Sequence, residues 1–216
     1  MKTTCSWSGG KDSCFALMQA INHGYEPKAL LNVLNEHGEI SRSHGIPADI
    51  LKAQAARAGL PMYLFPSSWQ DYENKFVQAL QLITKQYELQ YVVFGDIDLQ
   101  AHRDWEEMVC AKAGLKAVLP LWKRGRRKLV DEMLSCGIET MIVSCNEAMG
   151  ERFLGKMLTP ILIDELEALG IDACGENGEY HTLVLNCPLF SERLDVQVAN
   201  KILHEKYWFC SLVLAH

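Results

Sequence analysis

The sequence lacks features that would each place the protein in a particular class. It has no CxxC pair, because its eight cysteines stand singly, at positions 5, 14, 110, 136, 145, 174, 187 and 210. Zinc knuckles and CxxC-dependent thiolases need paired cysteines, so we expect neither, and we expect free thiols in a reducing compartment. The sequence also has no apolar run of 18 residues, so no membrane-spanning helix is expected.

Basic charge is also scarce. The 27 acidic and 21 basic residues give a net charge of −6, whereas a general nucleic-acid binder usually carries a basic field. We therefore expect neither a nucleic-acid partner nor a membrane partner. A strand pattern begins near residue 3 and leaves no room for a signal peptide, so the sequence predicts a cytoplasmic location.

The most informative stretch that is present is SGGKDS at residues 8–13. An apolar strand pattern precedes it at residues 3–7, and apolar residues at helical spacing follow it at residues 14–21. A glycine-rich turn that leads into a helix favours an anion, because its backbone N–H groups and the helix dipole both face the turn. Position 5 is Cys5 rather than the glycine of a Walker A loop. The alternative is a glycine turn without a ligand.

The first half of the chain alternates between strand and helix patterns. With 216 residues, the chain is long enough for one large domain or two small ones. Four strands and the intervening helices predict a doubly wound parallel α/β sheet, in which ligands bind beyond the carboxyl ends of the strands. Three segments are expected at that edge: residues 8–13, residues 35–46 and the pair Gly95-Asp96.

The pattern changes after about residue 119. Strand patterns lie at 139–144, 183–185, 194–198 and 207–214, with one clear helix, at 158–169, among them. They predict a smaller C-terminal α+β domain, so that the domains are residues 1–119 and 120–216. A basic cluster at residues 123–128 is compatible with a grip on pyrophosphate or an acidic substrate, or with a solvated helix start.

A second polar stretch, CGENGEYHT, occupies residues 174–182. Its two glutamates are able to hold Mg²⁺, to orient an ammonium nucleophile or to act as a general base, and His181 is able to transfer a proton near neutral pH. The alternative is a solvated glycine turn before the next strand.

Several motifs together carry a resemblance. SGGKDS matches the SGGxDS motif of the PP-loop ATP pyrophosphatases. The chain as a whole resembles the diphthine–ammonia ligase family in motifs that follow the family's order over nearly its full length. These are SGGKDS at 8–13, SHGIP at 43–47, FGDI at 94–97, HRDWEE at 102–107, LPLW at 119–122, FLGK at 153–156, CGENGEYHT at 174–182 and CPLF at 187–190.

The resemblance implies a PP-loop ATP-binding domain of the adenine nucleotide α-hydrolase type, followed by a substrate domain. It implies a ligase that adenylates a carboxylate with release of pyrophosphate and then transfers ammonia, giving an amide and AMP. ATP and Mg²⁺ are the implied cofactors, and ammonium is the implied nitrogen donor. The carboxylate is either protein-bound diphthine, a modified histidine of elongation factor 2, or a corrinoid (B12)-type small molecule. A homodimer is left open.

The resemblance also implies roles for individual residues. The implied ATP-binding residues are Ser8, Gly9, Gly10, Lys11, Asp12, Ser13, Gly95 and Asp96. The implied catalytic residues are Glu176, Glu179, His181 and Arg103. The implied substrate-binding residues are His44, His102, Asn177, Gly178, Tyr180 and Thr182. Asp12 is either a Mg²⁺ ligand or a helix cap, and a purely structural role is the alternative for His44.

Two other functions remain open. A relative of the same fold can bind ATP without turning it over, as a sensing module; the intact SGGKDS motif argues against this. A PP-loop enzyme can also modify tRNA or transfer sulfur; the acidic net charge of −6 and the missing CxxC pair argue against that.

Overall fold

The computed structural model describes residues 1–215. All eight cysteines are free, and no helix in these residues has the length and apolar character needed to cross a membrane. The first part of the chain alternates strands and helices: β1 (Lys2–Ser6), α1 (Lys11–Asn22), β2 (Glu26–Leu34), α2 (Ala48–Arg57), β3 (Met62–Pro66), α3 (Tyr72–Tyr87), β4 (Tyr91–Val93), α4 (Gln100–Lys112) and β5 (Lys116–Val118).

These five strands form one sheet in the order β3-β2-β1-β4-β5. Every neighbouring pair is parallel, which confirms the predicted doubly wound sheet. The strand order reverses between β1 and β4, where such sheets bind ligands. Residues 8–13 follow β1, and Gly95-Asp96 follow β4. A Cβ atom on Gly95 would lie 2.7 Å from the Asp12 carbonyl carbon and 2.7 Å from the Ser13 nitrogen, so only glycine lets these two loops approach so closely.

The second part of the chain forms a four-stranded antiparallel sheet in the order β7-β6-β9-β8. This sheet, with its helices, is the predicted α+β unit. Its elements are α5 (Arg126–Ser135), β6 (Glu139–Asn146), a 3-10 helix (Glu151–Phe153), α6 (Pro160–Ala168), β7 (Tyr180–Asn186), β8 (Val196–His204) and β9 (Tyr207–Leu214). The expected boundary between residues 119 and 120 lies between β5 and α5.

Strand β8 extends well beyond the predicted segment 194–198, because it continues to His204. It is an edge strand, and residues 199–204 are exposed. A strand that buries neither face needs no alternation of apolar and polar residues. The sequence therefore carries no periodic signal for this half of the strand.

The parallel sheet is covered differently on its two faces. Helices α3 and α4 cover one face, with Phe76, Leu80 and Val109 in a separate core. On the other face, helices α1 and α2 belong to a core that continues into the antiparallel sheet. The two sheets are thereby packed together, and strand β7 lies directly behind the loop at residues 8–13.

Candidate active site

A cavity of about 820 Å³ opens at the carboxyl ends of β1 and β4. Four loops from distant parts of the sequence line it: those after β1, β2 and β4 and the loop before β7. The expected site residues that line it are Ser8, Asp12, Ser13, His44, Gly95, Asp96, His102, Glu176, Asn177, Gly178, Tyr180 and His181. Gly9, Gly10, Lys11, Arg103, Glu179 and Thr182 are not among the lining residues.

Two serine hydroxyls form the cavity side of the loop at residues 8–13. The Oγ atoms of Ser8 and Ser13 are 3.0 Å apart, and the Ser8 N–H donates to Ser13 Oγ at 3.2 Å. Helix α1 begins directly behind them with Gly10 as its N-cap, a residue without a side chain to cap the helix. The alternative of Asp12 as the helix cap is therefore wrong. A helix start beside two hydroxyl groups is a typical anion site.

The opposite side of this loop is bound to strand β7. The Val184 N–H donates to the Gly9 carbonyl at 2.9 Å, and the Lys11 N–H donates to Thr182 Oγ1 at 3.1 Å. Gly9 has φ +84°, a left-handed conformation that glycine adopts without strain. Because their backbone faces β7, Gly9 and Gly10 shape the anion site from behind.

Lys11 lies between the two domains. Its side chain is only 2% exposed. Its ammonium group donates to the Cys174 carbonyl at 2.5 Å and to Asp12 Oδ2 at 2.8 Å, and it lies 5.4 Å from the centre of the Tyr180 ring. Burial alone would lower the pKa of Lys11, but the Asp12 carboxylate, together with Tyr180 and Cys174, outweighs burial and raises it. Lys11 therefore stays charged, and its bonds connect the loop at residues 8–13 to the loop before β7.

Carboxyl groups concentrate on the floor of the cavity. Burial, reinforced by the charges of Asp12 and Asp96, raises the pKa of Glu176 to about 7, although the Ile97 N–H donates to it at 2.9 Å. Burial and a bond to Asp96 raise the pKa of Glu106 to about 11, so Glu106 is protonated at neutral pH. The cavity thus holds a carboxyl group that titrates close to neutrality.

The same carboxylates are the available metal ligands. Within residues 1–215, no three His, Cys, Asp or Glu side chains are arranged to hold a metal ion. Mg²⁺ at nucleotide sites usually takes one or two carboxylates and completes its shell with phosphate oxygens and water. Burial raises the pKa of Asp12, the Lys11 ammonium lowers it in part, and the charge of Asp96 raises it again. Asp12 and Asp96 therefore fit a Mg²⁺ ion that a nucleotide helps to hold.

Two of the three cavity histidines are neutral. Burial lowers the pKa of His44 to about 4 and lowers that of His181 well below its usual value. The rings are 4.6 Å apart, and His44 Nδ1 donates to the Thr182 carbonyl at 2.8 Å, since a carbonyl only accepts. By contrast, the bond of His102 Nδ1 to Asp96 at 2.7 Å raises the pKa of His102.

The structure does not bring two of the expected catalytic residues into the cavity. The Glu179 carboxylate accepts hydrogen bonds from the Asn177 N–H at 3.1 Å and from the Asn177 side chain at 3.0 Å, and so closes its own turn. The Arg103 guanidinium donates to Glu107, one turn further along helix α4, at 2.7 Å and lies over Trp122. Local partners hold both side chains, and their catalytic roles stay predictions.

The basic cluster at residues 123–128 is largely neutralised by ion pairs. Arg126 binds Asp98 at 2.6 Å and Asp172 at 3.2 Å, which links α5 to the loop before β7. Arg124 pairs with Glu132, and Arg127 pairs with three carboxylates on α5 and α6, those of Asp131, Asp164 and Glu167. None of the six residues lines the cavity.

Several cavity residues escaped the sequence analysis. Arg42 stacks over Trp69, with its guanidinium carbon 4.3 Å from the ring centre, and Tyr72 and Trp105 extend the same aromatic wall. Asn32 donates to the Trp7 carbonyl at 2.8 Å, while its buried Oδ1 has no partner. Asn32 left a signal as a polar residue in the apolar run ALLNVL, Trp105 lies in the motif HRDWEE, and Arg42 lies in the segment 35–46 that was expected at this edge.

Comparison with protein families shows two matches that together span most of the chain. The model of the diphthamide synthase N-terminal domain matches residues 1–117, and that of the diphthamide synthase C-terminal domain matches residues 125–215.

Three similar relatives are each named diphthine–ammonia ligase. The protein of Homo sapiens is 29% identical, over 94% of this chain and 86% of the relative. The protein of Danio rerio is 30% identical, over 91% and 87%, and that of Schizosaccharomyces pombe is 32% identical, over 98% and 39%. A solved structure of a predicted subunit of tRNA methyltransferase from Methanocaldococcus jannaschii covers 87% of this chain at a TM-score of 0.47 and 15% identity, a likeness too distant to carry an argument.

Proposed function

Since the chain belongs to the diphthamide synthase family, we propose that the protein is an ATP-dependent carboxylate–ammonia ligase of the diphthine–ammonia ligase type. The single observation that carries the proposal is the content of one cavity. A helix start with two serine hydroxyls lines the same cavity as a glutamate whose pKa is about 7. The first feature suits the phosphates of ATP, and the second suits proton transfer from an amine.

In the first half-reaction, a carboxylate oxygen of the acceptor attacks the α-phosphorus of ATP. A carbon–oxygen–phosphorus linkage forms, and the bond to the β-phosphate breaks to release pyrophosphate. Ser8, Ser13 and the start of α1 bind the leaving phosphates and offset their charge. Mg²⁺, held by Asp12 and Asp96 together with the phosphates, would supply further charge neutralisation.

In the second half-reaction, the nitrogen of ammonia attacks the acyl carbon, and the bond from this carbon to AMP breaks. The nitrogen must lose one proton to give the neutral amide. Glu176 is the group we assign to accept this proton, because its pKa of about 7 matches the operating pH. The neutral His181 ring lies at the same wall of the cavity and orients the nucleophile.

The acceptor that we propose first is protein-bound diphthine, because the relatives bear that name. A corrinoid-type carboxylic acid would undergo the same chemistry. Both alternatives predict the same bond changes, so they differ only in which acid starts the reaction. A panel of candidate acids in the assay below distinguishes them.

Isotope transfer tests the proposed chemistry. With an acceptor whose carboxylate carries ¹⁸O, adenylation transfers one ¹⁸O atom to AMP, and ATP–pyrophosphate exchange depends on the acid. Ser8→Ala combined with Ser13→Ala should lower the affinity for ATP by roughly tenfold to 100-fold, since two hydrogen bonds to charged phosphate are lost. Ser135→Ala, an exposed serine on α5, is the matched control. Formation of ADP and ¹⁸O-labelled phosphate, or unchanged ATP affinity in the double variant, would overturn the proposal.

A further inference from the structure

A second cavity of about 770 Å³ lies on the other side of the loop after β2, against strands β8 and β9. Its walls are largely apolar. They include Ile40 and Pro47 from the loop, and Tyr207, Phe209 and Leu212 from β9. The cavity is therefore shaped for the apolar or aromatic body of a ligand, and no step of the proposed reaction uses it.

The two cavities meet at a common wall. Arg42, Ser43, Trp69 and His181 line both of them. Trp69 is 72% exposed, which is unusual for so large an apolar side chain. A ligand in the second cavity would therefore reach the first cavity at Arg42 and His181.

Arg42 is the cation at this junction. No other arginine or lysine among residues 1–215 lines either cavity. Its guanidinium group is held against Trp69 and Tyr72, at 4.3 and 5.7 Å. Its Nε and Nη2 atoms are both buried without a hydrogen-bond partner. Buried donors without acceptors are costly, so this pair of nitrogens is prepared for an anion from outside the chain.

We propose that the second cavity binds the body of the acceptor acid and that Arg42 binds its carboxylate at the junction. This inference rests on the proposed ligase function. A guanidinium group binds both oxygens of a carboxylate through two parallel hydrogen bonds, a geometry that lysine cannot reproduce. The bound carboxylate then faces the cavity of Ser8 and Ser13, where the nucleotide is attacked. Arg42 thus determines that the acceptor is an acid, and the apolar walls select its body.

A simple pair of probes tests the site without turnover. 2-Naphthoate has an aromatic body and a carboxylate, and 2-naphthamide has the same body without the charge. Calorimetric titration of the full chain should show binding of both probes. Arg42→Gln should weaken 2-naphthoate binding by at least about tenfold, because charge-assisted hydrogen bonds are lost. It should leave 2-naphthamide and ATP binding unchanged, and Arg42→Lys should give an intermediate affinity for 2-naphthoate.

Two further variants locate the probe. Ser211 lies on β9 on the same strand face as Tyr207 and Phe209 and lines the second cavity. Ser211→Trp should weaken both probes and leave ATP binding intact. Arg152→Gln is the matched control for Arg42, because Arg152 also stacks on an aromatic ring, that of Phe153 at 4.6 Å, but lines neither cavity.

The outcomes separate this inference from the ligase proposal. If Arg42→Gln weakens ATP binding and spares 2-naphthoate, Arg42 is a phosphate ligand and the inference is overturned. It is equally overturned if the wild-type protein does not bind 2-naphthoate at millimolar concentration, or if Ser211→Trp leaves binding of both probes unchanged. Each of these results leaves the transfer of ¹⁸O to AMP, which tests the ligase proposal, unaffected.

Discussion

The two loops that meet in the first cavity are held in different ways. Residues 8–13 bind their surroundings mainly through backbone groups, and they present hydroxyls to the cavity. Residues 174–181 are held by a buried tyrosine hydroxyl that donates to the Ala173 carbonyl at 2.5 Å and by a Glu176 N–H that donates to Asp172 at 2.7 Å. They present a carboxyl group to the cavity instead.

This difference separates two kinds of site. Residues 8–13 form the phosphate half of the site. This half consists of a strand, a turn and a helix that are adjacent in sequence, and such a unit binds anions wherever it occurs. Residues 174–181 form the acid half of the site. This half depends on burial, because the pKa of Glu176 is raised first by burial and then by the carboxylates of Asp12 and Asp96 in the N-terminal domain. Phosphate binding should therefore survive changes that abolish acid–base function. The predictions below test this separation in order of decreasing effect.

The largest effect is expected at Gln54, which joins the two halves. Its fully buried side chain accepts from Trp7 Nε1 at 2.9 Å and donates to the carbonyls of Gly9 and Val184 at 3.0 and 2.7 Å. Gln54→Leu removes three buried hydrogen bonds and leaves Trp7 Nε1 without its acceptor, so it should lower the free energy of unfolding by about 3–5 kcal/mol. Urea denaturation measures this, with the exposed Gln78→Leu on α3 as control. Equal urea midpoints for Gln54→Leu and Gln78→Leu would mean that Gln54 does not hold the two halves of the site together.

Glu176→Gln should separate the two half-reactions. The isosteric amide keeps the acceptor for the Ile97 N–H but cannot take a proton. Amide formation should fall by roughly 100-fold to 1,000-fold, while ATP–pyrophosphate exchange stays within about threefold of wild type. The two rates are measured on the same preparation. A parallel loss of both would show that the acid half also serves adenylation.

Gly95→Ala tests the phosphate half through packing alone. The added methyl group would meet rigid backbone atoms of Asp12 and Ser13 at 2.7 Å, so we expect a loss of about 1–3 kcal/mol of unfolding free energy and weaker ATP binding. Gly125→Ala is the control, because its Cβ would find its nearest neighbour only at 4.0 Å. Thermal unfolding and nucleotide titration measure both effects. Unimpaired ATP binding in Gly95→Ala would show that the close approach of Gly95 to Asp12 and Ser13 is not needed for the phosphate site.

The raised pKa of Glu176 makes stability depend on pH. The folded protein keeps this proton up to pH about 7, whereas the unfolded chain releases it near the ordinary glutamate pKa of 4.5. The unfolded state therefore binds fewer protons in this window, and the wild type loses stability relative to Glu176→Gln as pH rises from about 4.5 to 7. We expect a difference of about 1–3 kcal/mol that is constant above pH 8. Urea unfolding at several pH values measures it, and a difference that grows towards low pH would contradict the assignment.

The smallest effect is expected at Glu179. Its carboxylate binds the neighbouring Asn177 and does not line the cavity. Glu179→Gln keeps an acceptor for the Asn177 N–H, so turnover should stay within about threefold of wild type, as surface changes rarely exceed 0.5 kcal/mol. A steady-state assay beside Glu176→Gln makes the comparison direct. A loss as large as that of Glu176→Gln would restore Glu179 to the catalytic residues.

Much of the fold was predictable because its signals are local. The strands before SGGKDS and before Gly95-Asp96 each lead into a glycine turn and a helix, and the parallel order follows from this alternation of strands and helices. The outer half of β8 was not predictable, because an exposed edge strand has no period. Among the site residues, Trp69 was missed and Arg42 was expected only as part of the segment 35–46, since neither an arginine nor a tryptophan in a loop indicates which cavity it will line.

The sequence by itself determined the class of chemistry. SGGKDS places an anion site at a helix start through residues that are neighbours in the chain, and the wider set of motifs indicated the family. Only the tertiary structure decided which groups face the ligand. Lys11 donates a hydrogen bond to the Cys174 carbonyl, and His44 donates one to the Thr182 carbonyl. Each bond joins residues more than 100 positions apart in the sequence. The tertiary structure also distinguishes Glu176, which lines the cavity, from Glu179, whose carboxylate binds Asn177 in its own turn, because a carboxyl group's partners depend on the packing around it and not on its place in a motif.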